Sequence, residues 1–214
     1  MKTNLLLFLL LITTACQNKD GKPDNFDYGR VEDNKYVNTF FDFEMTLPAD
    51  WSVQSREQLE DITSTGKELV AGDDEKMKAV LKASEINTAN LLAVYQYELG
   101  SPVDYNPGIM LIAENVQRVS GVRTGSDYLF HSRKLMEQSQ MKYDHLDEKF
   151  EKEVIDGIDF YKMNAEMNYM GTTFKQIYYS TILKGFSFNA IISFANDEQK
   201  ADLLKLIQSM KFAK

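Results

Sequence analysis

Cysteine occurs once in this chain of 214 residues, and proline only four times. One Cys excludes a disulfide framework, a cysteine-ligated zinc site and an iron–sulfur cluster. Four prolines and 11 glycines exclude a collagen-like or low-complexity protein. Positive charge is also scarce: 24 Lys and Arg face 32 Asp and Glu, a formal net charge of −8. That balance opposes polyanions, so no nucleic acid partner is expected. The motifs that announce chemistry are missing as well. There is no G-x-S-x-G, no H-E-x-x-H, no G-x-x-x-x-G-K-[ST] and no G-x-G-x-x-G. What remains is an acidic chain, 43% hydrophobic and 26% charged, long enough for one good-sized domain or two small ones.

The apolar residues are conspicuous at the N-terminus. Leu5 to Ile12 form an unbroken apolar run behind a short segment carrying Lys2. A membrane-spanning helix needs about 20 such residues, so this run is too short to cross, but its length suits the h-region of a secretory signal. The small or polar Thr13-Thr14-Ala15 follow, and then the lone Cys16. Thr14, Ala15 and Cys16 resemble the lipobox of bacterial lipoproteins, with Thr13 standing where that pattern usually has Leu. The resemblance implies cleavage between Ala15 and Cys16 and acylation of the Cys16 thiol, leaving a membrane partner through the lipid anchor. Residues 1–15 are then the signal peptide. Gln17 is not the Asp that retains such proteins in the inner membrane, so the outer membrane is expected in a Gram-negative cell envelope. Residues 16–30 are rich in Asn, Asp, Gly, Lys and Pro and are expected to form a flexible tether.

Residues 31–214 read as one α+β domain. Phe41, Phe43, Met45 and Leu47 alternate with polar residues as in a strand ended by Pro48. Ser55 with Gln58 predicts a capping box opening a short helix. Asp73-Asp74 predict a second helix with Met77, Val80 and Leu81 along it. Segments 91–97 and 109–113 read as strands. Thr124 or Ser126 caps a helix whose inner face is Tyr128, Leu129, Ser132, Leu135 and Met136. Turn signals at Asp156-Gly157, Met170-Gly171 and Lys184-Gly185 divide residues 150–194 into four strands of an antiparallel meander. Asn196 with Gln199 starts a terminal helix with Leu203, Leu204, Ile207 and Met210 inward. The last two strands are apolar on both sides, so both faces of the sheet are expected to be covered. The predicted architecture is an α/β/α sandwich, an antiparallel sheet flanked by helices on both faces.

The opening Phe40-Phe41-Asp42-Phe43-Glu44-Met45-Thr46-Leu47-Pro48-Ala49-Asp50-Trp51 resembles the entry of PsbP-like domains: a strand, then Pro, two residues, Trp. The closing Ser209-Met210-Lys211-Phe212 is similar to their ending. That superfamily includes the extrinsic photosystem II subunit, the Ran-binding Mog protein and many bacterial lipoproteins. The resemblance implies a protein that binds a partner or helps it assemble, without catalysis. It carries over no functional residue, because the matched positions look structural.

The residues offer few alternatives. Gly125-Ser126 sits at a helix start, where capping explains it. Gly66-Lys67 lacks the glycine-rich loop that a phosphate cradle requires. His131 lies near the edge of an apolar helix face. His145 stands within Asp144-His145-Leu146-Asp147-Glu148, which holds metal-compatible donors, yet along a straight strand neighbours point to opposite faces. Glu148, Glu151 and Glu153 interleaved with Lys149 and Lys152 resemble a charged edge strand that resists aggregation. Tyr161, Tyr169, Tyr178, Tyr179, Phe186 and Phe188 suit core or cross-strand pairs. The expectation is a non-enzymatic, lipid-anchored envelope protein that binds a partner protein, with no catalytic residue, cofactor or metal assigned. The alternatives are an envelope hydrolase or metal-dependent enzyme using Asp144 to Glu148, and a small-ligand carrier, which needs an apolar cavity under a sheet face.

Overall fold

Local chemistry fixes where the elements begin. The computed structural model describes residues 21–169 and 171–213. In order these form β1 (Arg30–Glu32), β2 (Lys35–Asn38), β3 (Phe43–Thr46), β4 (Ser52–Val53), α1 (Arg56–Ala71), α2 (Glu75–Ser84), β5 (Thr88–Tyr95) and β6 (Gly108–Asn115). Then follow α3 (Gly125–Gln138), β7 (Tyr143–Leu146), β8 (Glu151–Ile155), β9 (Ile158–Tyr169), β10 (Thr172–Leu183), β11 (Phe186–Phe194), α4 (Asp197–Gln208) and β12 (Lys211–Phe212). Ser55 and Gln58 form the expected capping box, but α1 runs for 16 residues rather than as a short helix. Asp74 caps α2 through the N–H groups of Lys76 and Met77. Thr124, not Ser126, caps α3, with Asp127 closing the box. Asn196 accepts from the Gln199 N–H to start α4. Asp156-Gly157 and Lys184-Gly185 have positive φ at both residues, the geometry of two-residue hairpin turns that match strand twist.

The strands make two antiparallel sheets. The larger has the order β4-β5-β6-β11-β10-β9-β7, with β8 also pairing with β9. The smaller has the order β1-β2-β3-β12. Both faces of the large sheet are covered, as its two-sided apolar pattern requires. On one face Phe186, Phe188, Ala190, Ile192 and Phe194 of β11 meet Tyr36, Phe43 and Met45 of the small sheet, with Leu203, Leu206 and Ile207 of α4. On the other face lies α3, whose first residue sits directly on β10. A Cβ at Gly125 would stand 1.9 Å from the Ser180 carbonyl oxygen, so only glycine allows this approach. The end of α1 meets the segment after α3 where the Gln140 N–H donates to the Val70 carbonyl at 2.9 Å. Helices therefore flank the sheet on both sides, and the small sheet adds to one layer. Val80, expected with Met77 and Leu81 along α2, is 52% exposed. Helix α2 packs on α1 rather than on the sheet, so only a narrow stripe of it is covered.

The larger correction concerns the stretch expected to be a free tether. From Gly21 to Gly29 the chain is clasped onto the domain. The Gly21 N–H donates to Asn87 Oδ1 at 3.0 Å, and Asn115 Nδ2 donates to the Gly21 carbonyl at 2.6 Å. Lys22 Nζ donates to the carbonyls of Glu85 and Ile86, just past the C-terminal end of α2, at 3.2 and 3.1 Å, and to that of Thr88 at the start of β5 at 2.8 Å. Phe26 packs among Phe40, Phe41 and Phe186, with ring centroids 4.7, 5.9 and 5.4 Å away. The Asp27 carboxylate accepts from the N–H of Gly29 at 2.8 Å, and from the N–H and hydroxyl of Thr39, both at 2.7 Å. Composition misleads here because the polar residues serve as hydrogen-bonding partners and the two aromatics supply the buried surface. The rest of the expected tether, with Ala15, Cys16 and the signal segment, lies outside the described residues.

Candidate functional site

The acid-rich run around His145 does not assemble into a reactive centre. Asp144, His145 and Glu148 are exposed. His145 Nε2 is 2.8 Å from Asp147 Oδ1, and the other Asp147 oxygen accepts from the backbone N–H and side-chain amide of Asn164 at 2.8 and 2.6 Å. Burial raises the Asp147 pKa, but these hydrogen bonds outweigh it and hold the carboxyl below its usual range. Asp147 is thus a staple between the end of β7 and β9. Among the described residues no three His, Cys, Asp or Glu side chains gather as a metal site. The metal-dependent reading has no convergent set of ligands to rest on here.

The next segment behaves as the charge pattern predicted. Lys162 on β9 lies 3.2 Å from Glu151 and 3.3 Å from Glu153, and Lys152 lies 2.6 Å from Asp159. With β7, β8 forms the outer edge of the sheet beyond β9.

His131 and Glu148, far apart in sequence, do come together. The first turns of α3 and the β7–β8 connection bound an open groove of about 590 Å³. One wall carries Asp127, Phe130 and His131, and the other Glu148, Lys149 and Phe150. Phe130 is 44% exposed, its ring edge-on to His131 at 5.8 Å and covered on one side by Lys134 Nζ at 4.2 Å from its centroid. Asp127 is occupied by the helix cap: it accepts from the N–H groups of Arg123 and Thr124 and from the Thr124 hydroxyl. Those bonds depress its pKa, with the Arg123 N–H first among them. A carboxylate already committed in this way is a poor general base, so the groove offers aromatic and charged contact surface rather than an acid–base pair. Phe130 lies off the apolar stripe of α3, and that is the signal in the sequence by which it could have been singled out.

Beneath α3 the sheet face holds a small polar network in an apolar setting. Tyr128 Oη donates to Glu114 Oε2 at 2.9 Å. Burial raises the pKa of Glu114 against the opposing effect of that bond. Beside it is a cavity of about 100 Å³ lined by Ile112, Leu129, Tyr178, Asn189 and Ile191, among others. Asn189 is 6% exposed and its Oδ1 has no hydrogen-bond partner within the protein. The carrier alternative asked for an apolar cavity under a sheet face, and this is one. Its volume is below the ~300–1,000 Å³ of ligand pockets and fits a few water molecules, which would satisfy Asn189. At the far end of the same face the Tyr105 hydroxyl is bonded to that of Ser193, and burial pushes its pKa up to about 12. Of the six aromatics picked out in the sequence, Tyr179, Phe186 and Phe188 are fully buried. No helix among the described residues is long and apolar enough to cross a membrane.

No protein-family model and no curated protein matches the sequence. Several solved structures share part of its chain path. A crystal structure from Bacteroides thetaiotaomicron is 12% identical with a TM-score of 0.45, the match covering 85% of this chain and 48% of that one. This chain thus spans about half the length of that relative. The solution structure of cyanobacterial PsbP from Synechocystis is 12% identical with a TM-score of 0.49, covering 84% of this chain and 91% of that one. LpqN, involved in cell envelope biogenesis of Mycobacterium tuberculosis, is 10% identical with a TM-score of 0.42, covering 79% and 82%. All three are distant likenesses, and none fixes the role of a residue.

Proposed function

We propose that the protein is a non-enzymatic component of the cell envelope, held by an acylated Cys16, whose α+β domain binds a partner protein. The binding surface is the groove between α3 and the β7–β8 connection. The observation that carries this reading is Phe130, a large aromatic left 44% exposed beside Asp127, His131, Glu148 and Lys149. An accessible aromatic ringed by charged groups is the composition of a protein-binding hot spot: the ring supplies area removed from water, and the rim sets orientation. The lipobox resemblance supports the anchor, because acyl chains stabilise membrane attachment by about 0.8 kcal/mol per buried CH₂.

A photo-crosslinking amino acid at position 130 tests the binding surface in intact membranes. The expected result is one defined adduct, much weaker when the crosslinker is moved to the exposed Val53 on β4, at the opposite edge of the large sheet. Equal labelling from both positions removes the groove as the binding site. Mass spectrometry of the mature N-terminus tests the anchor separately, and Cys16→Ser is expected to leave unprocessed or soluble precursor with a folded domain.

A further inference from the structure

The clasp has a geometric consequence for the anchored molecule. The described fold begins at Gly21, five residues after Cys16. A fully extended chain gains at most about 3.3–3.6 Å per residue, so Gly21 lies within about 18 Å of an acylated Cys16. A domain of this size is roughly 40 Å across. The link is shorter than half that width. Lengthening it would mean breaking the Gly21 and Lys22 hydrogen bonds and then withdrawing Phe26 from its aromatic cluster.

Two large apolar side chains, Ile86 and Val119, stand exposed at this end of the domain. Ile86 is 64% exposed, more than any other large apolar side chain among the described residues. Its carbonyl accepts from Lys22 Nζ, so it stands at the point where the anchor segment joins the fold. Asn115, which holds Gly21 from the other side, leads into the turn bearing Val119, 42% exposed. The opposite end of the same strands carries the β5–β6 connection with Leu99 and Val103.

Resting on the proposed lipid anchor, we infer that the protein sits with its Gly21 end against the lipid headgroups, Ile86 and Val119 entering the interfacial layer. The occupant of this surface is the bilayer itself. The short link selects the end that can reach it, and the exposed Ile86 gives that end apolar area to bury. The groove at Phe130 starts at Gly121, two residues beyond Val119, and is assigned to the protein partner.

The test uses the full acylated protein in phosphatidylethanolamine–phosphatidylglycerol vesicles. Acylation consumes the one native thiol, so Ile86→Cys, Val119→Cys, Leu99→Cys and Val103→Cys each present a single site for a polarity-sensitive fluorophore. All four positions are exposed, so none of the variants disturbs the core. Lipids with a quencher in the upper acyl chain are expected to quench positions 86 and 119 at least three-fold more than 99 and 103. Equal quenching at both ends, or stronger quenching at 99 and 103, overturns the orientation while leaving the anchor intact. Mass spectrometry of the same samples reads the anchor, and an unmodified Cys16 thiol removes both readings.

Discussion

Single side chains carry much of the specificity of this domain. Glu114 is a half-buried carboxyl whose surroundings oppose its charge: desolvation raises its pKa, and the Tyr128 hydroxyl only partly compensates. Its folded value therefore lies above the unfolded value of about 4.3. The protonated form contributes stability that is fully present below about pH 4.3 and is lost as the pH rises through the folded value. Glu114→Gln keeps an acceptor for Tyr128 and never ionises. It is expected to raise the melting temperature at pH 7, with the gain over the native protein closing as the pH falls towards 4. A gain that is the same at both pH values would show that charge burial is not the cause. This network could not be read from the sequence, because it joins β6 to α3 through a contact that no local pattern encodes. The cap of α3 is Thr124, which explains the start of the helix but not the glycine beside it. The reason for glycine is instead the carbonyl of Ser180, some 55 positions away.

Elements with local start signals were the legible ones. The Ser55–Gln58 and Asn196–Gln199 pairs placed two helices, and the Asp-Gly and Lys-Gly dipeptides placed the hairpins. Each of these interactions spans four residues or fewer. The clasp of residues 21–29 has no such signature. It has little secondary structure of its own, and its order comes from Asn87, Asn115, Thr39 and the aromatic cluster. Phe26 is its apolar peg. Phe26→Ala is expected to cost about 2–3 kcal/mol, less than the ~3–5 kcal/mol of a fully buried Phe because this ring is only partly covered. The same change should open the segment to chymotrypsin at Tyr28, while cleavage elsewhere in the domain stays slow. Unchanged resistance at Tyr28 would mean that the hydrogen bonds of Asp27 and Lys22 hold the clasp unaided. Those of Asp27 weaken in acid. Although burial raises its pKa, the bonds from Thr39 and Gly29 bring the net value below the ordinary ~3.9, so their stabilisation is present above that pH and lost as the pH falls through the folded value.

At the scale of the whole molecule, the β8 edge of the large sheet is left unpaired. The Glu and Lys run of β8 covers it, and Val154 is 62% exposed there. Exposed ion pairs such as Lys152–Asp159 are screened by water and add little to stability, so their main effect is to keep other strands away. Replacing Glu151, Lys152 and Glu153 together by Thr is expected to change monomer stability little while producing concentration-dependent self-association in sedimentation. A variant that remains monomeric at high concentration would remove the protective role. The alternation of charges made this edge legible, whereas the small sheet was not, since its closing strand comes from the other end of the chain. Lys211 and Phe212 pair with Glu44 and Phe43. This pairing makes completion of the small sheet a late event: a polypeptide still emerging from a ribosome, or still threading a pore, lacks the strand that pairs with β3.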